Sequence, residues 1–226
     1  MCTCLTLARV ARLYDQMRFQ TLFEGRWIFG TLVVVGLAGW WFGWNWLWIV
    51  ALLLGLFCIN FFRDPDRMVP PEPDSVVAAA DGTITDIVEI EEPEVLKVRC
   101  KRVGIFLSVF DVHVNRAPTD GRVSFLKHTP GLFLDARLPD SSLKNESMLW
   151  AFDGPKGTIV VKQITGAIAR RIVPWASLGD SLKKGDRFGM IRFGSRTEIY
   201  LPVDAEITVT VGDKVKGGAT IVARLP

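Results

Sequence analysis

Residues Trp27 to Phe62 form a run of 36 residues without a single Asp, Glu, Lys, Arg or His. Such a stretch must be covered by protein or by lipid, so it governs what the rest of the chain can build around it. As one helix it would measure about 54 Å, against a hydrocarbon layer of roughly 30 Å. It divides at Phe42-Gly43-Trp44-Asn45, where Gly and Asn favour a turn, leaving halves of about 16 residues suited to a tight hairpin. Five of the eight Trp (Trp40, Trp41, Trp44, Trp46, Trp48) crowd around that turn, as amphipathic rings do at a membrane interface. Arg9, Arg12, Arg18 and Arg26 precede the run, and Arg63 and Arg67 follow it. The positive-inside tendency therefore places both ends in the cytoplasm. The expectation is a cytoplasmic segment 1–26, a membrane helical hairpin 27–62 and a domain 63–226 on the cytoplasmic face of the cell membrane. One long tilted helix and a core hairpin of a soluble protein are the alternatives. A cleaved signal peptide fits poorly, because the run is too long and starts late.

Arg63-Asp64-Pro65-Asp66-Arg67 and Pro70-Pro71-Glu72-Pro73 form a stiff polar connector. Beyond it the pattern is mainly β. Val76-Val77, Thr83 to Val88, Val103 to Leu107, Thr158 to Val161, Glu198 to Leu201 and Glu206 to Val211 are short β-branched runs bounded by Gly, Pro or Asp. Gly179-Asp180-Ser181-Leu182-Lys183-Lys184-Gly185 and Gly212-Asp213-Lys214-Val215-Lys216-Gly217-Gly218 repeat one turn at an offset of 33 residues. Duplicated hairpins of this kind resemble those of barrel-sandwich folds such as lipoyl and biotinyl domains. No lysine has the sequence context that modification in those carriers needs, so the repeat reads as architectural.

Composition and motif spacing weigh against several function classes. The four Cys include no C-x-x-C pair and suit free thiols in a reducing compartment. Two histidines, His113 and His128, lack the spacing of a zinc hydrolase. A net charge of +3 without a basic-aromatic platform argues against nucleic acid, while the Arg-rich flanks suit an anionic bilayer surface.

Three segments carry candidate chemistry. Asp81 lies in Ala80-Asp81-Gly82-Thr83-Ile84, in isolation an ordinary Asp-Gly turn. His113 lies in Asp111-Val112-His113-Val114-Asn115-Arg116, and a lone His is more often a satisfied residue than a catalyst. Gly194-Ser195, with 31 residues after it, is also most simply a turn. Yet a serine hydroxyl that attacked the preceding carbonyl would cut the chain there.

In order and wording these pieces resemble the phosphatidylserine decarboxylase family in its short prokaryotic form. The matching stretches are Phe62-Arg63-Asp64-Pro65 with Arg67, Ala80 to Ile84, Ile105 to Pro118 continuing to Asp120-Gly121-Arg122-Val123, Thr129-Pro130-Gly131-Leu132-Phe133, Lys144-Asn145-Glu146 and Phe193-Gly194-Ser195. The resemblance implies self-cleavage between Gly194 and Ser195, giving a β chain of residues 1–194 and an α chain of residues 195–226 that stay paired. Ser195 would become a covalent pyruvoyl cofactor that forms a Schiff base with phosphatidylserine and yields phosphatidylethanolamine, with no metal. Asp81 and His113 would be the acid and base that activate Ser195. Long-form relatives have a second His where this chain has Arg116, which leaves the self-cleavage base open. Arg116, with Asn115, is a candidate for gripping the substrate's anionic groups. Other classes remain beside this one: an inert membrane-anchored binding module on the same scaffold, a pyruvoyl decarboxylase of a soluble amino acid, and a membrane-anchored zinc peptidase.

Overall fold

The computed structural model describes residues 20–138, 140–167, 171–192 and 195–226. Arg9, Arg12 and Arg18 of the N-terminal flank, and Gly194 of the expected cut site, lie outside the described residues. The chain divides into two units, 1–65 and 66–226.

In the first unit, helices α1 (Arg26–Trp41) and α2 (Asn45–Phe61) fold back on each other through Phe42–Trp44. Gly43 takes φ +71°, which only glycine adopts without strain, and Trp44 N–H closes the turn by donating to Gly39 C=O at 2.8 Å. Small residues let the helices approach. A Cβ on Gly39 would lie 2.7 Å from Leu47 Cβ, and one on Gly36 would touch Ala51. Around this seam the surface is apolar on every side, with Trp27, Trp40, Trp41, Leu53 and Ile59 exposed. Neither helix, nor any other among the described residues, is long and apolar enough to cross a membrane.

The second unit is mainly β, as the strand pattern predicts. Its largest sheet has eight antiparallel strands, in the order β13 (Lys214–Val215), β2 (Gly82–Glu91), β3 (Arg99–Leu107), β11 (Ser195–Pro202), β7 (Gly157–Ile164), β6 (Ser147–Gly154), β5 (Gly121–Thr129) and β9 (Ser181–Leu182). Two three-stranded sheets complete it. One is β1 (Ser75–Val77), β14 (Ile221–Arg224) and β12 (Glu206–Ile207); the other is β4 (Val114–Arg116), β10 (Arg187–Arg192) and β8 (Arg171–Pro174). Core side chains from all three sheets pack together, with Trp150, Phe152 and Phe188 at its centre. The expected strand Glu206–Val211 is shorter than predicted. Its end is bent back by Asp213, whose carboxylate accepts Thr210 N–H at 2.8 Å.

The repeated heptapeptides fold alike and close opposite edges of the large sheet. Gly179 and Gly212 have φ +94° and +99°, and Gly185 and Gly218 have +85° and +75°, so both turns require glycine at both ends. Their partners reveal a second duplication. Ala78-Ala79-Ala80-Asp81-Gly82-Thr83-Ile84 and Ala117-Pro118-Thr119-Asp120-Gly121-Arg122-Val123 are offset by 39 residues and make matched bonds. Gly218 N–H donates to Ala78 C=O and Gly185 N–H to Ala117 C=O, both at 2.8 Å. Asp81 Oδ1 accepts Gly217 N–H at 2.8 Å, and Asp120 Oδ1 accepts Lys184 N–H at 2.7 Å. Asp81 is thus one of two copies of a turn-fastening carboxylate.

Candidate active site

Ser195 opens β11, where it pairs with Leu107 at the end of β3. β11 is the fourth of eight strands and is buried on both faces. Ser195 is fully buried, and its Oγ has no hydrogen-bond partner among the described residues. Burying an unpaired hydroxyl costs about 1–3 kcal/mol, so an orphan of this kind at a strand's first residue is better explained by chemistry than by packing.

Beyond Leu107 the chain makes a tight turn in which the Asp111 carboxylate accepts Ser108 N–H at 2.8 Å. The turn leads to His113, also fully buried. His113 Nδ1 lies 2.9 Å from Asp111 C=O. A carbonyl can only accept, so Nδ1 carries the proton and Nε2 is the basic nitrogen. His113 C=O in turn receives Ile191 N–H at 3.2 Å, four residues before Ser195. The backbone therefore brings the His113 segment and both flanks of the Gly194-Ser195 junction to one corner.

Asp81 reaches this corner through the 79–82 turn, because Ala79 C=O accepts both Arg116 N–H at 2.9 Å and the Asn115 amide at 3.3 Å. Its own carboxylate is held by Arg67 at 2.7 and 2.9 Å and by Gly217 N–H. Burial pushes the Asp81 carboxyl up, against the pull of Arg67 and that N–H, and Asp111 adds to the upward push. Gly82 beside it has φ +156°, and a Cβ there would fall 2.2 Å from Phe106 C=O, so the Asp-Gly pair is set by close backbone approach.

Asn115 and Arg116 lie in the interior. Arg116 Nη1 donates to Gly185 C=O at 3.0 Å. Asn115 belongs to a relay whose orientation starts at Trp150, whose indole N–H can only donate. It gives its proton to Gln163 Oε1 at 2.7 Å; Gln163 Nε2 then donates to Asn115 Oδ1 at 2.7 Å, and Asn115 Nδ2 to Thr197 Oγ1 at 3.2 Å. Thr197 shares a face of β11 with Ser195. Gln163 and Thr197 carry no sequence signal, because their partners lie 48 and 82 residues from them in the chain.

The remaining motif pieces shape a flap. A Cβ on Gly131 would fall 2.5 Å from Lys144 C=O, and the Asn145 side chain bonds both polar backbone groups of Leu134 and the carbonyl of Thr165. Between this flap and β3 lies a cavity of about 340 Å³, lined by Phe106, Leu107, Asp135, Arg137 and Ala167 among others. Leu107, one of its walls, is the strand partner of Ser195. Among the described residues no group of three or more His, Cys, Asp and Glu is placed to hold a metal.

Comparison with known proteins gives this corner a setting. The family model described as phosphatidylserine decarboxylase matches residues 54–223. The phosphatidylserine decarboxylase proenzyme of Symbiobacterium thermophilum is 42% identical over 214 residues, spanning 94% of this chain and 99% of the relative. The proenzyme of the same name from Carboxydothermus hydrogenoformans is 42% identical over 207 residues, 89% of this chain and 95% of the relative. The family match spans all of the segments described for this corner, and the chain belongs to the phosphatidylserine decarboxylase family of enzymes.

Proposed function

We propose that this chain is a proenzyme that cuts itself between Gly194 and Ser195 and then converts phosphatidylserine to phosphatidylethanolamine through a pyruvoyl group made from Ser195. The observation that carries this reading is the buried Ser195 Oγ, which has no hydrogen-bond partner among the described residues and whose strand partner Leu107 lines a cavity. As Oγ bonds to the Gly194 carbonyl carbon, its proton passes to a base, and the peptide nitrogen leaves that carbon as an amine. Loss of the Ser195 Cα proton then expels the Gly194 carboxylate and leaves a carbon-carbon double bond at residue 195. After tautomerisation, water replaces the nitrogen, which departs as ammonia. Residue 195 fits the product: it is buried, at a strand end, and its Oγ has no hydrogen-bond partner among the described residues for the conversion to strand. When formed, the pyruvoyl group supplies the electron sink that decarboxylation needs and side chains lack.

His113, with Nε2 basic, is the proposed acceptor of the Ser195 proton, and Asp81 the carboxylate whose charge favours the protonated imidazole. Arg67 tunes that carboxylate. Removing a cation disfavours the anion, so Arg67→Gln raises the Asp81 pKa further, and the acid limb of the cutting rate moves to higher pH. A pulse-chase series across pH with an unmoved limb would remove Asp81 from the step. The Asp135 and Arg137 side chains beside the cavity offer charges of both signs to a zwitterionic headgroup.

The exposed Trp-rich hairpin supports docking in the bilayer that holds a diacyl substrate. Its helices of 16 and 17 residues are about 24–26 Å long, which suits insertion from the cytoplasmic face with both ends returning to it. One preparation tests the whole reading. In membranes from expressing cells, protease at the cytoplasmic face should reach residue 63 and the N-terminus. The purified protein should give two masses, a 194-residue piece and a 32-residue piece with a blocked first residue, and should release CO₂ from phosphatidylserine vesicles. A single intact mass of 25.2 kDa sinks it.

A further inference from the structure

Side chains alternate along β11, so Ser195, Thr197 and Ile199 face the main core while Arg196, Glu198 and Tyr200 face the other side of the sheet. That other side holds a buried ionic cluster at the residue next to the junction. All three guanidinium nitrogens of Arg196 are engaged: Nε donates to Glu198 Oε1 at 2.8 Å, Nη1 to Thr85 Oγ1 at 3.0 Å, and Nη2 to Asp86 Oδ2. Glu198 is fully buried and also accepts Ser142 Oγ at 2.9 Å and Tyr200 OH at 2.7 Å. Arg102 reaches Asp86 at 2.9 Å and stands 3.6 Å from Glu198.

Two backbone features are shaped to this guanidinium. The pairing of β2 with β3 runs Ile84 to Ile105 and then Asp86 to Gly104, so Thr85 is an extra residue in a β-bulge. A bulge re-aims side chains, and here Thr85 and Asp86, consecutive in a strand, both bond Arg196. Opposite the bulge, a Cβ on Gly104 would fall 2.5 Å from Arg196 Nη2, 2.5 Å from Asp86 Oδ2 and 2.9 Å from Thr85 Oγ1. The space a side chain would fill is occupied by the ion pair.

We infer that Arg196 is a positioning residue for self-cleavage: its guanidinium, keyed into Thr85, Asp86 and Glu198, holds residue 195 in register with Leu107 both before the cut and once that residue has become a chain end. It rests on the cutting reaction proposed above. Arg196 points away from Ser195, so it acts through the backbone and touches no reacting atom. An attack on the preceding carbonyl gains its rate from orientation, and a displacement of about 1 Å can cost about 10²-fold. Burial pushes the Asp86 carboxyl up, but Arg196, the Thr85 hydroxyl and Arg102 together more than offset this and hold it below the usual range, as an ionised partner requires.

The test follows the full chain by gel from the moment of cell-free synthesis, with stability measured separately as the melting temperature in an uncut Ser195→Ala background. Arg196→Lys keeps the charge but loses the fork, and Gly104→Ala keeps every charge but crowds the guanidinium. Each is expected to slow cutting at least tenfold. Tyr200→Phe removes a hydrogen bond from the same cluster while leaving the Arg196 contacts in place; it is expected to lower the melting temperature and to cut at the wild-type rate. Wild-type cutting in both Arg196→Lys and Gly104→Ala overturns the inference. So does a loss in Tyr200→Phe that scales with melting temperature as in the other two, because the cluster would then be structural only. A wild-type chain that never cuts would instead overturn the parent reading.

Discussion

Ser195→Ala is expected to leave a single chain of 226 residues that releases no CO₂ from phosphatidylserine, while folding as well as the parent. Only the hydroxyl group is removed. Among the described residues it has no hydrogen-bond partner to lose, and the alanine methyl removes a buried polar group instead of stranding one. The variant should therefore melt no lower than the uncut parent, and by the desolvation argument slightly higher. Mass spectrometry, melting and CO₂ release on one sample test this. An uncut but active variant would refute the assignment of residue 195. Ser195→Cys sharpens the point, because a thiol can still attack but is released differently; its cutting should be slow and not absent.

His113→Ala carries the second largest effect. Positioned proton transfer contributes about 10²–10⁴-fold, so cutting should slow by that order, and the small amount of processed enzyme should decarboxylate slowly if the same imidazole handles both protons. Because His113 is fully buried, truncation also leaves a cavity; His113→Gln, which retains bulk and a donor for Asp111 C=O, separates the two effects. Slow cutting in both variants assigns the base. Full processing in His113→Gln would shift the role to another group, the question that Arg116 raises by standing where long-form relatives have a second His. In the structure Arg116 is buried against Gly185 C=O, a site that fastens the 179–185 turn to β4.

Much of this corner was legible because its determinants are local. The four glycines of the repeated turns announce positive φ, and Asp-Gly at 81–82 announces a tight approach. Gly131 and Asn145 stand in the family motifs because one cannot bear a side chain and the other bonds three backbone groups. What was hidden depends on pairing between distant strands. Strand β6, Ser147–Gly154, was not expected, because Met148-Leu149-Trp150-Ala151-Phe152 is buried on both faces and shows neither alternation nor β-branching. The duplication of the Asp81 turn at Asp120 leaves little mark in the sequence, because the two copies share only Ala, Asp and Gly. The Arg196 cluster joins residues 110 and 111 apart in sequence, and the bulge that allows it has no local mark. Composition could announce an apolar hairpin, but the lengths of its helices depend on where the turn bonds form.

The four strands downstream of the junction, β11 to β14, do not sit together. β11 lies between β3 and β7, β13 fastens one edge of the large sheet, and β12 and β14 belong to another sheet with β1. Cut at Gly194, the short piece remains threaded through its partner at every one of these seams, and it can leave only if both sheets open. On the proposed cut, unfolding of the processed protein would be a one-way event: a chain that folded as one molecule would have to refold as two, with residue 195 no longer a serine. The lifetime of that processed form would be set by the height of its unfolding barrier, and equilibrium stability would belong to the precursor alone.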